Sequence, residues 1–258
     1  MRYLLLTGIL MTVFLLSSFS TLNKDKYYVS TVVIDPGHGG RDSGAQAGEV
    51  KEKDIALNIS LKLGQYIKEN LKDVEVIYTR TSDEFVELWE RAEIANENNA
   101  DAFISIHANA SSHPSAMGTE TFCMGLHKSE ENLDVAMREN KVILKEDDHE
   151  ERYDGFDPES PEAYIEFSLQ QNVYLDRSLK LASEIETQFE ERVNRRSRGV
   201  KQAGFLVLYK SSMPAVLIET GFLTNRNDRN FLISEQGQVY MASAIFRAFR
   251  NYKEDLES

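Results

Sequence analysis

Apolar positions follow two alternating rhythms along this chain. Short runs of β-branched and aliphatic residues at 31–35, 74–79 and 102–107 read as buried strands. Between them apolar residues recur every three or four positions, as an amphipathic helix requires. Ile55, Ile59, Leu63 and Tyr66 mark a helix over 52–71, and Leu88, Trp89, Ala92 and Ala95 one over 84–98. Alternating strands and helices with such short connections predict βαβ units. The expected fold is α/β, a single domain with a twisted, mostly parallel central sheet flanked by helices. A further strand is expected over 118–124, and there the rhythm stops. It resumes with a helix over 173–193 striped by Leu175, Leu179, Ala182, Ile185 and Phe189. Two strands over 205–209 and 215–219 follow, and a last helix over 235–252 buries Val239, Ala242, Phe246 and Phe249.

Residues 127–167, where the alternation fails, read as an insertion in an otherwise regular domain. A helix is expected over 130–144, then a charged stretch over 146–152 and a break at Gly155, Pro158 and Pro161. The segment holds 14 acidic against five basic residues, so it carries −9 of the chain's net −13. A net charge of that sign argues against general affinity for nucleic acid. It leaves the rest of the chain only mildly acidic.

The start of the chain changes the picture of where it works. Arg2 precedes an apolar run over 4–16, and small residues follow over 17–20. That run is short for a membrane span, and its order predicts a secretory signal over 1–20, with a retained N-terminal anchor as the alternative. An exported protein of the periplasm or cell envelope is expected. Its one cysteine, Cys123, leaves no internal disulfide, so stability must come from the core, and the apolar context of Cys123 predicts a buried structural thiol.

Candidate chemistry gathers at the ends of the predicted strands. His38 sits in the glycine-rich turn Pro36-Gly37-His38-Gly39-Gly40 after the first strand, His107 ends the third, and Glu219 ends the run Val216-Leu217-Ile218. Functional residues of a parallel sheet collect at the carboxyl ends of its strands, and Glu52, in the first turn of the following helix, can face the same edge. Two imidazoles and one carboxylate suit catalytic zinc, and a second carboxylate suits a general base for the bound water. Spacing alone does not say which of Glu52 and Glu219 binds and which acts as base. Satisfied turn and core histidines are the competing reading of His38 and His107. His113, His127 and His149 lie in polar or acidic contexts and are read as surface residues.

Several ordered motifs carry a resemblance. Ile34-Asp35-Pro36-Gly37-His38-Gly39-Gly40 with Asp42 and Gly44, Glu52-Lys53-Asp54, Thr79-Arg80, Arg91 with Ala95-Asn96, Ala102 through Asn109, and Glu219-Thr220-Gly221-Phe222-Leu223-Thr224-Asn225 together cover roughly 31–252. In these the sequence resembles the zinc-dependent N-acetylmuramoyl-L-alanine amidases of the amidase-3 type, bacterial cell-wall hydrolases. The resemblance implies a catalytic domain over 27–252, with Zn2+ held by His38, Glu52 and His107 and with Glu219 as catalytic base. The implied substrate is peptidoglycan, cut at the amide between N-acetylmuramic acid and L-alanine during wall remodelling or daughter-cell separation. A monomer is expected.

Similar amidases carry a helical insertion near this position that covers the cleft until a partner removes it. Residues 127–167 are expected to do the same, released by an activator protein, with Glu130, Glu131 and Glu139 as candidates to approach the metal. The alternative is a solvated acidic excursion. The basic cluster Arg192, Arg195, Arg196, Arg198 and Lys201 is read as the solvated end of a helix in preference to a cradle for peptide carboxylates. Arg80 and Asn225 are read as turn residues or as supports behind the metal ligands, in preference to substrate contacts. Other zinc hydrolases, such as a carboxypeptidase or carbohydrate deacetylase, and a non-catalytic wall-binding scaffold are the rival classes.

Overall fold

The computed structural model describes residues 27–168 and 173–258. The leader expected over 1–20 lies outside them. No helix among the described residues is long and apolar enough to cross a membrane.

The alternation builds a six-stranded sheet. Its strands are β1 (Thr31–Pro36), β4 (Glu75–Tyr78), β5 (Ala102–Asn109), β6 (Thr119–Met124), β7 (Ser197–Ala203) and β8 (Ala215–Phe222), in the order β4-β1-β5-β8-β6-β7. A two-residue hairpin, β2 (Gln46–Ala47) and β3 (Val50–Lys51), stands apart. Every pairing in the large sheet is parallel except β6 with β8. So β6 and β7 both run against the other four, and their first residues lie at the edge where β1, β5 and β8 end.

Helices cover both faces. On one, α1 (Glu52–Asn70), α6 (Leu175–Val193) and α9 (Glu235–Leu256) bury Ile59, Leu63, Leu181, Ile185, Ile245 and Phe249 against β1, β5 and β8. On the other, α2 (Leu88–Glu97) and α7 (Leu206–Tyr209) are joined by the inserted segment. Caps fix several ends: Ser129 accepts from Asn132 N, Ser234 from Gly237 N, and Asn194 closes α6 at φ 56°. Cys123 is fully buried, and burial pushes its thiol up to about 12.

Two expectations fail here. The apolar run expected as a strand over 205–209 is instead the single-turn helix α7, and the strand comes earlier, in the polar sequence of β7. A short apolar run buried all round has no period to tell strand from helix. The polar residues of β7 are those of a half-buried edge strand. The other failure concerns length: α2 begins at Leu88, four residues later than expected, with Trp89 only half-buried.

The insertion folds as α3 (Glu130–Asn140), a 3-10 turn (Lys141–Lys145), α4 (His149–Arg152) and α5 (Pro161–Ser168). It is no solvated excursion. Val135, Ala136, Ile143, Tyr164 and Phe167 belong to the same buried cluster as Phe122, Phe205 and Leu217. Asn140, 1% exposed, donates to Gly204 O at 2.7 Å and accepts from Leu206 N at 2.9 Å, tying the end of α3 to α7.

Candidate functional site

Three strand ends and one helix start converge, as the sequence predicts. His107 on β5 stands in register with Glu219 on β8, and β1 runs beside β5 with Asp35 opposite Ser105. Beyond β1 the chain turns sharply: His38 itself has φ 59°, an uncommon value for a residue with a side chain. Two buried arginines brace that turn. Arg80 donates to Pro36 O and Gly37 O, and Arg91 to Asp35, Pro36 O and His38 O. Arg80 is therefore a turn residue, and Asn225, which accepts from Asn227 N and Asp228 N, caps α8 (Arg226–Ile233).

Glycines leave the space. A Cβ on Gly37 would lie 2.4 Å from His107 Nε2, and one on Gly44, at φ +63°, 2.5 Å from Glu52 Oε2 and from the His38 ring. Glu52 is fixed at both oxygens, accepting from Ala45 N at 2.7 Å and Ala108 N at 2.8 Å. Asp42 fixes His38: its Oδ2 lies 2.6 Å from Nδ1, which turns Nε2 inward as a donor atom.

The insertion supplies a fourth member. Glu139, on α3 and 5% exposed, places Oε2 3.2 Å from His38 Nε2 and 3.1 Å from His107 Nδ1. Glu52 Oε1 lies 3.0 and 3.1 Å from the same two nitrogens, which are 3.1 Å apart. Donors about 2.0–2.1 Å from a tetrahedral zinc stand roughly 3.3 Å from one another. Five of the six edges among these four atoms come within a few tenths of that, and Glu139 Oε2 is buried with no hydrogen-bond partner among the described residues. His38, Glu52, His107 and Glu139 thus form a buried set able to hold a metal ion.

Glu219 stands beside this set. It is fully buried, its Oε2 has no hydrogen-bond partner among the described residues, and its Oε1 lies 3.3 Å from Arg138 Nη2, also on α3. Arg138 further pairs with Glu139 at 2.8 Å and donates to Ala110 O at 2.9 Å. One residue pair of the insertion therefore occupies both halves of the site. From the other side Lys145 reaches Asp42 Oδ1 at 2.9 Å.

Electrostatics divide the three glutamates. Burial alone would lower the imidazolium pKa of both histidines, but the surrounding carboxylates, Glu52 first for His38 and Glu139 first for His107, outweigh it. They hold His38 well above its usual range and His107 at about 9. Burial would raise Glu52 and Glu139 as well. Instead His38 holds Glu52 down at about 2, while Arg138 and His107 hold Glu139 well below the usual carboxylate range. Glu219 goes the other way: burial and the charges of Glu139 and Glu52 push it well above its ordinary value, against the pull of Arg138. A carboxylate held this far from its neighbours' titration is suited to taking and giving a proton.

Of the insertion candidates, the structure brings in Glu139 and leaves Glu130 and Glu131 exposed. Asp42, Arg138 and Lys145 are additions that the pattern of strand ends did not single out. His113 is exposed as expected, but His127 and His149 are half-buried. The basic cluster divides: Arg192 is exposed in the last turn of α6 and Arg196 is exposed after it, as a solvated helix end requires, whereas Arg198 and Lys201 lie on β7 and both pair with Glu120, and Arg195 pairs with Asp228.

Comparison with known proteins agrees with this arrangement. Residues 32–251 match the family model described as N-acetylmuramoyl-L-alanine amidase. The amidase AmiA of Escherichia coli strain K12 is 32% identical over 225 residues, covering 86% of this chain and 75% of AmiA. The crystal structure of an N-acetylmuramoyl-L-alanine amidase from Clostridium difficile 630 aligns at a TM-score of 0.66 with 30% identity, over 88% of this chain and 98% of that one. CwlD of Clostridioides difficile, solved in complex with the GerS lipoprotein, aligns at 0.64 with 26% identity over 88% and 99%. With nearly the whole described domain matched in sequence and in fold, the chain belongs to the N-acetylmuramoyl-L-alanine amidase family and is a hydrolase of the amide joining N-acetylmuramic acid to L-alanine in peptidoglycan.

Proposed function

We propose that this is a zinc-dependent amidase held in an inactive state by its own insertion. His38, Glu52 and His107 would hold the metal, and Glu219 is the general base. Glu139, the remaining donor of the buried set, stands where substrate and water must enter. When bound, zinc would polarise the scissile carbonyl and acidify a water molecule. The chain's own work is then positional and protolytic. Glu219 accepts the proton of the attacking water and returns it to the leaving amine of L-alanine. Asp42 and the backbone N–H groups of Ala45 and Ala108 keep His38 and Glu52 aimed while this happens.

The observation that carries the reading is the double engagement by α3, Glu139 among the metal donors and Arg138 on the base. Activation requires α3 to leave, and the GerS complex of CwlD is a precedent for a protein partner of a family member. An activator that binds this chain and draws α3 off the cleft fits that requirement. The chain acts on the wall after export, its leader directing it to the periplasm or cell envelope.

The test is digestion of purified peptidoglycan followed by mass spectrometry. The Glu139→Gln protein should release intact stem peptides with N-terminal L-alanine faster than the wild type, and Glu139→Gln/Glu219→Gln should release about 10²-fold less or lower, the low end for losing a general base. Release of single D-amino acids or of acetate would point to a different hydrolase. Equal rates for wild type and Glu139→Gln would reject the inhibitory insertion.

A further inference from the structure

A groove of about 470 Å3 opens beside the reactive cluster, between α3 and the start of β7. Its sheet-side wall is cationic. Arg196 is exposed, with no partner for its guanidinium among the described residues, and Arg198 and Lys201 follow it along β7. One carboxylate, Glu120, is shared by Arg198 and Lys201 and is only 2% exposed, so this wall keeps an excess of positive charge. Glu120 is also the cross-strand neighbour of Glu219, which sets the wall directly alongside the proposed base.

An independent feature sits on the floor. Asn109 is fully buried, two residues beyond His107 on β5, and donates its amide to Glu120 Oε2 at 3.0 Å. That leaves its Oδ1 a buried acceptor without a hydrogen-bond partner among the described residues, on a residue that lines the groove. A buried acceptor of this kind calls for an N–H donor. Arg138 closes the end of the groove next to Glu219, and Glu131 and Asp134 of α3 form the opposite wall.

We infer that this groove is the subsite for the stem peptide: Arg196, with Arg198 and Lys201 behind it, takes the free α-carboxylate of the D-isoglutamate that follows L-alanine, and Asn109 Oδ1 accepts a peptide N–H. The ligand chemistry is an extended peptide carrying a carboxylate close to its first residue. A carboxylate engages guanidinium groups through charge-assisted hydrogen bonds that a carboxamide cannot replace. Glu131 and Asp134 face the same cations while α3 is seated, so an anionic ligand gains most when α3 withdraws. The assignment rests on the amidase reading, which supplies the peptide whose leaving amine Glu219 protonates.

Binding, not turnover, tests it, because the groove is open on the intact chain. The exported full-length protein would be titrated calorimetrically with L-Ala-γ-D-Glu-L-Lys, with the same peptide bearing an α-carboxamide on D-glutamate, and with a glycerol phosphate polymer. The free acid should bind at least about tenfold tighter than the amide, and Arg196→Glu should weaken the acid about tenfold while leaving the amide unchanged. Arg196 is exposed and unpartnered, so its reversal does not endanger the fold, and Arg196→Gln gives the neutral control. Equal affinity for acid and amide, no effect of Arg196→Glu, or polymer binding that the peptide fails to displace would each overturn the subsite. Cleavage by Glu139→Gln keeps the two readings apart: peptide binding without cleavage counts against the amidase mechanism, and cleavage without peptide binding counts against the groove.

Discussion

Asp35 is the residue on which the turn carrying His38 rests. It is fully buried and receives Thr79 Oγ1 at 2.6 Å, Ser105 Oγ at 2.6 Å and Arg91 Nη1 at 2.7 Å. Burial would raise its pKa, yet Arg91 and the two hydroxyls hold it below the ordinary value. A folded pKa below the unfolded one, about 3.9, means that the unfolded chain binds the proton more readily. The contribution to stability is therefore present above that value and lost as pH falls through the folded one, so acid unfolding of Asp35→Asn should show a shallower dependence below pH 4 than the wild type. At neutral pH that substitution strands the Arg91 charge and should cost about 3–5 kcal/mol by denaturant unfolding. Gly44→Ala makes a different test, because its Cβ meets Glu52 and His38 in a left-handed backbone. It should weaken metal binding about 10–100-fold, the size seen when groups supporting metal ligands are disturbed, as read by competition with a chelator. At this scale the sequence is legible where a reactive residue ends an apolar run, as His107 and Glu219 do. Glu139 was not separable from Glu130 and Glu131, because helix residues of one type differ only in the direction they face, and that is set by the packing of Val135 and Ala136.

At the scale of the element, α3 decides whether the site is open. Its helix is short and polar, and its first turn depends on the Ser129 hydroxyl that accepts from Asn132 N. Replacing such a cap by alanine costs about 1 kcal/mol. If the open state is the one with α3 unseated, Ser129→Ala should multiply its population about fivefold, since about 1.4 kcal/mol is a factor of ten. Dye release from labelled peptidoglycan should rise by the same factor, and an unchanged rate with a lowered helix stability would separate α3 from activity. The elements that proved hardest to read were β7 and α7. Four of the seven residues of β7 are Ser, Arg, Lys and Gln, and Arg198 and Lys201 line a polar groove, so its hydrophobic signature is nearly absent. In α7 the opposite holds: Leu206, Val207 and Leu208 are all buried, and an unbroken apolar run erases the period that would have marked a helix.

For the whole molecule, the question is how much of the insertion can move. Acidic composition suggests a detachable plug, but the packing divides the segment into two parts. Phe167 lies 4.3 Å from the Tyr209 ring and 5.1 Å from Phe156, which in turn lies 5.1 Å from Tyr164. These aromatic contacts, with Asn140 bonded to Gly204 and Leu206, weld α5 and the end of α3 to the face of the sheet beneath them. Removing 127–167 entirely would uncover Phe122, Phe205 and Leu217, and truncating even one buried phenylalanine typically costs about 3–5 kcal/mol. A domain stable by about 5–15 kcal/mol has little margin for exposing such a face. The deletion protein should therefore melt far below the wild type or aggregate, while Glu139→Gln, which leaves Arg138 its contacts to Glu219 and Ala110 and does not touch the aromatic cluster, should keep a melting temperature close to that of the wild type and gain activity. Calorimetry on the two variants checks the division. A deletion protein that melts as the parent does would mean that the whole insertion is detachable and that Asn140 and the aromatic cluster anchor nothing.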